Sequence, residues 1–538
     1  MWKKLHINKR RILYTICFFV FCLIDQRTRT ASGLDGLGET FRDLAGVVMA
    51  VLILSHYHLS DFKKRKLPYL IWSLLCVAGG AFFLLYGQPL AYFLNNRIML
   101  VLEVYLLGIV IFQTIMEVAA EKKRPLLNVY FAALWLLMMV FMIISRSEYT
   151  WPLIYLVRFG CFYLTDYTKE EQEDLFQGML NGIILGFFIL QGWCFAFRPY
   201  DEVRYKGVYN NSNLNALFYL IVLAAALAKL VYVYRAECGR WIKAYYWLGV
   251  GSVLGFLFLT ISRTGWMTAV VLVLVGLFLL RPVMPSRSFF KGIVKNGLIM
   301  VLCFCITLPL VFGAVRFLPP FFHHPVWFFG EWNEDKVHSW DKWDSDKFVN
   351  PDEVINTAGS RVTKILAGVF GGKTEAGQPK KVRREVQVTP EQQRLYDEAF
   401  AAGFAIDPAD RGDAVLFRAA IYRYYAHLLN FRGHPDYELG FQIVPDQNIG
   451  HAHNIYLQYG VVFGIPVLIL FVVLLVWSII GLVRRFREEK SEQPAGYLLF
   501  LLVPAVFGLL EYCWGEGSLA IILLFVVWRR MICDETGR

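Results

Sequence analysis

The stretch HAHNIYLQYGVVFGIPVLILFVVLLVWSIIGLV (residues 451–483) passes from two histidines directly into a long, uncharged apolar run. An α-helix needs about 20 such residues to cross hydrocarbon. Comparable runs recur from end to end of the 538-residue chain, which is 57% hydrophobic and only 18% charged. Because lipid offers no partner to backbone polar groups, only helices and closed barrels span it, and these continuous runs lack the alternation of barrel strands. The sequence therefore predicts an all-α polytopic integral membrane protein.

The formal net charge of +11 is distributed in short basic clusters between the apolar runs. One cluster precedes the first run and the others follow every second run, at residues 63–66, 122–124, 235–243, 287–295, 484–487 and 529–530. This alternation is the positive-inside pattern, in which Lys and Arg mark the cytoplasmic ends of spans. The charge therefore predicts topology, and we expect no nucleic-acid partner.

Apolar windows and basic clusters together predict about fourteen spans, with both termini in the cytoplasm. Counts of about twelve or thirteen are alternatives, because the run near 12–24 is short enough for a signal-peptide core and the run near 149–165 contains Arg158. We expect the first run to be an uncleaved anchor. The predicted division is N-terminal transmembrane helices over 1–315, a large extracytoplasmic loop domain over 316–450 and C-terminal transmembrane helices over 451–538.

The predicted loop domain is expected to be mainly helical. Helical periodicity is present near 351–370, 390–404 and 411–430, separated by turns that contain Gly or Pro. In the last segment Arg411 and Arg418 are seven residues apart, so they would share one helix face. The sequence therefore predicts an external helix with two arginines shortly before the membrane is re-entered.

His451 and His453 lie where this loop is predicted to enter the membrane. Imidazole gains and loses protons near neutral pH, so either side chain could accept a proton from an alcohol. The alternative is that both are polar interfacial residues, hydrogen-bonded to water and backbone. On their own, the histidines leave these two interpretations open.

Arg263, in SRTGWM (residues 262–267), lies at a break between two apolar runs that both have basic cytoplasmic ends. A guanidinium at membrane depth costs roughly 2.5–3.5 kcal/mol on insertion scales, so it usually has an anionic partner, and its donors fit phosphate oxygens. Snorkelling to lipid headgroups is the alternative. Asn211 and Asn213 begin another predicted span, where they would cap the helix or bind sugar hydroxyls.

In this order, the motifs resemble the superfamily of O-antigen ligases and O-antigen polymerases, polytopic glycosyltransferases that act on lipid-linked glycans. The family's Asn-x-Asn-x-Leu/Ala pattern resembles residues 211–216, and its Ser-Arg-x-x-Trp/Leu pattern resembles 262–266. Its loop pattern Arg-x-x-x-(Trp/Phe)-x-x-Ala resembles 411–420, with two extra residues before the aromatic. Its His-(Asn/Ser)-x-x-Leu motif followed by Gly resembles 453–464 and is the most specific part. The resemblance covers residues 200–480.

The resemblance implies a GT-C-like fold and an enzyme of the bacterial cytoplasmic (inner) membrane whose active site faces the periplasm or exterior. Such an enzyme moves a glycan from undecaprenyl pyrophosphate to an acceptor hydroxyl, with inversion and without a metal or cofactor. The implied partners are that donor, a glycan, lipid or cell-envelope acceptor, and the lipid bilayer.

The resemblance also implies roles for residues. His453 would be the catalytic base, and Arg263 and Arg411 would bind the pyrophosphate. Further donor or acceptor contacts are expected from Asn211, Asn213, Asn454, His451, Arg418 and Arg361.

Two features depart from the family pattern. Val462 occupies the place where the family often has an acidic residue between the His and the Gly. The loop is also longer than many in the family, so Arg361 competes with Arg411 as the loop arginine. We therefore expect the acidic function to be missing or relocated.

Two other functions are compatible with parts of the sequence. A polymerase of the same superfamily differs only in its acceptor, which is a second repeat unit in place of lipid A core or another envelope acceptor. A transporter or flippase of lipid-linked oligosaccharide would explain the many spans, Arg158 and Arg263. It would not explain a long polar loop that ends in His453 and Asn454.

Overall fold

The computed structural model describes residues 8–30, 37–63, 66–86, 98–120, 125–200, 202–281, 289–322, 324, 326, 349–370, 388–412, 414–512 and 518–533. Its helices are α1 (Lys9–Thr30), α2 (Leu37–Leu54), α3 (Leu59–Lys63), α4 (Lys66–Tyr86), α5 (Ile98–Ile115), α6 (Val129–Ile143), α7 (Trp151–Leu164), α8 (Lys169–Phe197), α9 (Ser212–Arg235), α10 (Arg240–Leu259), α11 (Arg263–Leu280), α12 (Phe289–Phe322), α13 (Pro351–Phe370), α14 (Pro390–Ala401), α15 (Ala414–His427), α16 (Ile455–Phe463), α17 (Ile465–Glu489), α18 (Glu492–Phe507) and α19 (Leu519–Ile532). Two short strands, β1 (Phe441–Val444) and β2 (Gln447–Ile449), form an antiparallel hairpin.

Seven helices in the described residues are long and apolar enough to cross a membrane: α8 to α12, α17, and α5 together with the π-helical turn that follows it. Five further apolar helices in the same residues are shorter, namely α2, α4, α6, α7 and α18. The predicted all-α polytopic architecture is confirmed at this level.

Helix α9 forms the centre of the bundle and is buried along almost its whole length. It packs against α8, α10, α11 and α18. Gly265 of α11 faces Ala216 of α9, and three turns later Gly276 faces Leu227. The two helices therefore run parallel. The N-termini of α9 and α11 therefore lie side by side at one end of the bundle, which we name the site end.

Helices α1 and α8 pack closely through a row of small residues. Gly178, Gly182 and Gly186 lie on one face of α8 against α1. Small residues at every fourth position let two membrane helices approach closely. A methyl group at Gly182 would overlap the Thr15 carbonyl and Phe18 of α1. This contact fixes α8, which leads directly into the loop before α9.

The three helices predicted for the polar region are confirmed as α13, α14 and α15. The prediction that Arg411 and Arg418 share one helix face is wrong. Arg411 lies in a 3₁₀ turn, Pro408–Gly412, and α15 begins only at Ala414. Gly412 explains the interruption, since glycine loses more conformational entropy in a helix than any other residue.

The apolar stretch predicted as one span over 453–483 is two helices, α16 and α17, which are separated at Gly464. The backbone of Gly464 has a φ of 99°, a conformation that glycine adopts readily. A side chain there would also overlap the carbonyl of Phe431. The short α16 therefore packs against α15 and α17, with His453 and Asn454 at its start.

Candidate functional site

Four arginines from different parts of the chain converge at the site end, and we name Arg204, Arg263, Arg361 and Arg418 the arginine cluster. Arg263 is an electrostatic neighbour of Arg361 and Arg418. Arg204 is a neighbour of Arg263 and of Arg361. The structure thus brings three of the arginines named from sequence together with one that was not.

Local helix features place Arg263 and Arg361. The hydroxyl of Ser262 accepts a hydrogen bond from the Gly265 backbone N–H at 3.2 Å, which makes Ser262 the N-cap and Arg263 the first residue of α11. On α13, Val354 and Ala358 are buried. Arg361 follows them at helical spacing, so it lies on the same inward face.

Two carboxylates, Glu511 and Glu202, offset only part of the positive charge of the arginine cluster. Burial lowers the pKa of Arg204, an effect that Glu511 opposes and Arg263 reinforces, and burial with Arg204 lowers the pKa of Arg361. The Arg204 Nε atom is buried without a hydrogen-bond partner. Among the described residues, no carboxylate pairs directly with Arg263 or Arg361. A partly buried cation without a paired anion is costly, so this arrangement favours an anionic ligand.

Glu511 is the carboxylate at the centre of the site, and its side chain is only 7% exposed. Its Oε1 accepts hydrogen bonds from Asn213 Nδ2 at 2.8 Å and from Arg418 Nη2 at 3.2 Å. Its Oε2 lies 3.3 Å from Nδ1 of His453. Asn213 in turn accepts a bond from Arg204 at 2.7 Å. One carboxylate therefore joins the arginine cluster to the histidine.

The turn that carries Glu511 is fixed to its neighbours by backbone carbonyls. Gly508 O accepts from the Ile455 N–H at 2.8 Å. Leu509 O accepts from Asn454 Nδ2 at 2.8 Å and from the Tyr422 hydroxyl at 3.2 Å. These bonds connect the end of α18 to the start of α16 and to α15. Glu511 is thus held by elements that are far apart in sequence.

His453 is held in a proton-accepting geometry. Because a carboxylate accepts hydrogen bonds, the contact with Glu511 places the proton of neutral His453 on Nδ1 and leaves the Nε2 lone pair available. The backbone of His453 has a φ of 47°, a left-handed conformation that tends to occur at functional sites when a non-glycine residue adopts it. The imidazole is 30% exposed, so a hydroxyl can reach it.

His451 lies beside His453, with ring centroids 4.1 Å apart. Burial, reinforced by His453, lowers the pKa of His451 to about 4. Its Nδ1 is buried without a hydrogen-bond partner. The Gln458 side chain positions this turn by accepting from the Ala452 N–H at 2.7 Å. His451 is therefore a neutral imidazole with an unused hydrogen-bonding atom.

Two of the asparagines named from sequence cap helices. The Asn211 side chain accepts from the Asn213 N–H at 2.8 Å and caps α9. The Asn454 side chain accepts from the N–H groups of Tyr456 and Leu457 at 2.9 and 3.0 Å and caps α16. These caps fix the helix ends that border the site.

Arg411 is engaged elsewhere. Its Nη1 lies 2.8 Å from both carboxylate oxygens of Asp446, and its Nη2 donates to Gln447 Oε1 at 3.0 Å. This bond network ties the 3₁₀ turn to the β1–β2 hairpin. Of the two competing loop arginines, the structure places Arg361 beside Arg263 and pairs Arg411 with an acidic partner.

Glu511 and Arg204 were not identified from the sequence. Glu511 lies near the end of the apolar run predicted over 496–514, where an isolated carboxylate is a signal for function. Arg204 precedes the asparagine motif, at the predicted outer end of a span. The positive-inside pattern does not explain an arginine at that end. Both signals are weak without the contacts.

In the part of the chain that the structure describes, no three or more His, Cys, Asp or Glu side chains are grouped to hold a metal ion. No family model, curated protein or solved structure matches the chain. The site is therefore interpreted from its own chemistry, which is an imidazole–carboxylate pair beside a cluster of guanidinium groups.

Proposed function

We propose that the protein is a membrane glycosyltransferase of the O-antigen ligase type, which moves a glycan from undecaprenyl pyrophosphate to an acceptor hydroxyl. One observation carries this proposal: His453, backed by the buried carboxylate of Glu511, lies at the same end of the bundle as the arginine cluster. Displacement of a pyrophosphate by an alcohol requires a proton acceptor next to donors for the departing anion.

In the proposed reaction, the acceptor oxygen bonds to the anomeric carbon while the bond from that carbon to the pyrophosphate oxygen breaks. His453 Nε2 accepts the hydroxyl proton, and Glu511 stabilises the resulting imidazolium. The pyrophosphate leaves with the bonding electron pair from the opposite face, which inverts the anomeric centre. The broken bond supplies the energy, so the reaction needs no nucleotide.

The arginine cluster stabilises the charge that grows on the departing pyrophosphate. We assign this role to Arg263, Arg361 and Arg418. Arg411 is left out because it is not an electrostatic neighbour of Arg263 and its donors are taken by Asp446 and Gln447. Guanidinium groups bind phosphate oxygens through paired donors, and loss of one such donor typically lowers rates by about 10²–10³-fold.

In the family that the sequence resembles, an acidic residue often lies between the motif's His and the following Gly. In this chain, Glu511 supplies that acidic function. The motif position itself is occupied by Val462, which is only 1% exposed and lies in the apolar core. The carboxylate comes instead from the turn after α18. We propose that the acidic function has been relocated along the chain while its contact with the histidine is kept.

The proposal includes a topology. About twelve to fourteen spans in a GT-C-like arrangement, with both termini in the cytoplasm, put the site end at the periplasmic or outer face of a bacterial cytoplasmic membrane. The alternation of basic clusters supports this orientation. A lipid-borne pyrophosphate then lies at the headgroup plane, where a hydrophilic acceptor arriving from outside can meet it.

A ligase and a polymerase would share this chemistry and differ in the acceptor. A flippase of lipid-linked oligosaccharide would bind the same donor without making a bond, and it has no use for a carboxylate-backed imidazole. The purified protein in nanodiscs, given a pyrophosphate-linked glycan and candidate acceptors, separates the three. Ligation yields one glycan per acceptor, polymerisation yields a ladder of lengths, and a flippase yields no new glycoside.

The base assignment is tested with a pair of variants. His453→Ala is expected to abolish transfer, whereas His427→Ala, at the exposed end of α15, is expected to retain it. Both proteins should elute as the wild type does in size-exclusion chromatography. Wild-type transfer rates in the His453 variant would contradict the proposed mechanism.

A further inference from the structure

An apolar groove lies between α10, α11 and α12, next to the arginine cluster. Its volume is about 360 Å³. Its lining is apolar throughout and includes Phe258, Trp266, Ala269, Gly297 and Phe304. The transfer chemistry described above makes no use of this groove.

The groove exists because α11 leans toward the centre of the bundle. Helix α11 packs mainly on α9 and α18 and touches α10 and α12 only lightly. On the α12 side, Gly297 leaves space, since a Cβ built there would meet only Leu277, at 3.8 Å. Tight packing on one face of α11 thus leaves a gap on the other.

The groove begins next to the arginine cluster. Trp266 in its lining lies three residues after Arg263, a rise of about 4.5 Å along α11. Its ring stacks on Phe258, with centroids 5.2 Å apart and an angle of 7° between the planes. The indole Nε1 is buried and has no hydrogen-bond partner among the described residues. Tryptophan commonly occupies the boundary between polar headgroups and hydrocarbon.

The groove also opens toward the surface of the bundle that faces lipid. Val301, which lines it, is 58% exposed. On α11, the neighbouring Met267 and Val270 are 44% and 58% exposed. A ligand therefore has a route into the groove from the side, within the depth of the apolar helices.

From this continuity we infer that the groove binds the long hydrocarbon chain of a lipid whose phosphate-bearing head occupies the arginine cluster. The ligand class is an anionic amphiphile, and the occupant is the polyprenyl chain of the glycan donor, which enters sideways from the bilayer. This inference rests on the proposed function. It adds a specificity site for the donor that is separate from the reacting groups.

A groove-filling variant tests the inference. Gly297→Leu places a side chain in the groove, and Gly249→Leu on α10 makes the same change where a Cβ meets open space. Two donors carry the same glycan on pyrophosphate, one linked to a long polyprenyl chain and one to a geranyl chain. With the long-chain donor, Gly297→Leu should lower kcat/KM by roughly ten-fold, the loss expected from displacing about two buried methylene groups.

The geranyl donor should be used equally well by Gly297→Leu and the wild type, and Gly249→Leu should affect neither donor. Equal effects of Gly297→Leu on both donors, or no effect on either, would overturn the groove assignment. If the wild type transfers glycan from neither donor, the result contradicts the proposed function. The groove is then tested separately by the crosslinking measurement described next.

That measurement uses wild-type protein and a polyprenyl pyrophosphate with a photoreactive group in its chain. Crosslinks mapped by mass spectrometry are expected in α10 to α12 and should persist in excess phosphatidylglycerol. Labelling elsewhere, or complete competition by phosphatidylglycerol, would show a general lipid contact and overturn the inference.

Discussion

Replacement of Glu511 by Gln removes one negative charge while keeping the shape of the side chain. An amide oxygen can still accept from Nδ1 of His453, which keeps the ring orientation, while the amide nitrogen then faces the donors of Asn213 and Arg418. What is lost is the attraction between a carboxylate and the imidazolium that forms as the acceptor gives up its proton. The substitution therefore separates the charge of Glu511 from its role in packing.

The size of the effect follows from the geometry. Two unit charges at the 3.3 Å between Glu511 Oε2 and His453 Nδ1 attract by about 5 kcal/mol at an effective dielectric constant of about 20. The imidazole is 30% exposed, and solvent screening reduces this to about 2–3 kcal/mol. A loss of that size in the transition state corresponds to a rate lowered by about 30- to 150-fold.

The assay is steady-state transfer by purified protein in nanodiscs, with donor and acceptor varied separately. We expect Glu511→Gln mainly to lower kcat, because the carboxylate acts on the base. The KM for the donor should change by a smaller factor, because Arg418 loses its carboxylate partner. Glu511→Asp should recover part of the lost kcat. A general loss of structure would instead lower the melting temperature and change both constants.

A wild-type kcat in Glu511→Gln would refute this reasoning, because the carboxylate would then contribute packing alone. A rise in donor KM at unchanged kcat would also refute it, since Glu511 would then act on the donor site.

Three further predictions concern other parts of the molecule. Arg361→Ala should lower kcat/KM for the donor by about 10²–10³-fold, whereas Arg411→Ala should leave it near the wild-type value; equal losses in donor-titration kinetics would contradict the choice between them. Acidification from pH 6.5 toward 4 should reduce the free energy of unfolding, because the unfolded chain protonates His451 while burial holds the pKa of the folded side chain at about 4. In thermal unfolding, His451→Gln should show less of this pH dependence, and an unchanged slope would argue against a buried neutral imidazole. Gly182→Ala should cost about 1–3 kcal/mol of stability by overpacking, whereas Gly192→Ala, which meets open space, should not; equal melting temperatures would contradict the close helix contact.

Much of the fold could be predicted from local sequence. Apolar runs and periodicity located the membrane helices and the three helices α13, α14 and α15. The capping preference of asparagine anticipated Asn211 at the start of α9. These features depend on neighbours in the chain, so single-sequence patterns contain them.

Other features depend on contacts between distant residues. Glu511 meets His453 across 58 positions and Asn213 across 298, and no local pattern records either distance. The break at Gly464 interrupts a stretch whose hydrophobicity alone predicts one span. Arg411 resembles the loop arginine of the family motif, but its contact with Asp446 depends on how the β1–β2 hairpin folds back, which the motif does not record.

A cryo-EM structure of the protein in nanodiscs with a non-hydrolysable polyprenyl diphosphonate donor would show directly whether the arginine cluster binds the pyrophosphate. We predict density for the two phosphorus groups within hydrogen-bonding distance of Arg263, Arg361 and Arg418, with the Nε2 face of His453 open to the reacting carbon. Phosphonate density at the opposite end of the bundle, or along a central pathway away from these arginines, would contradict it.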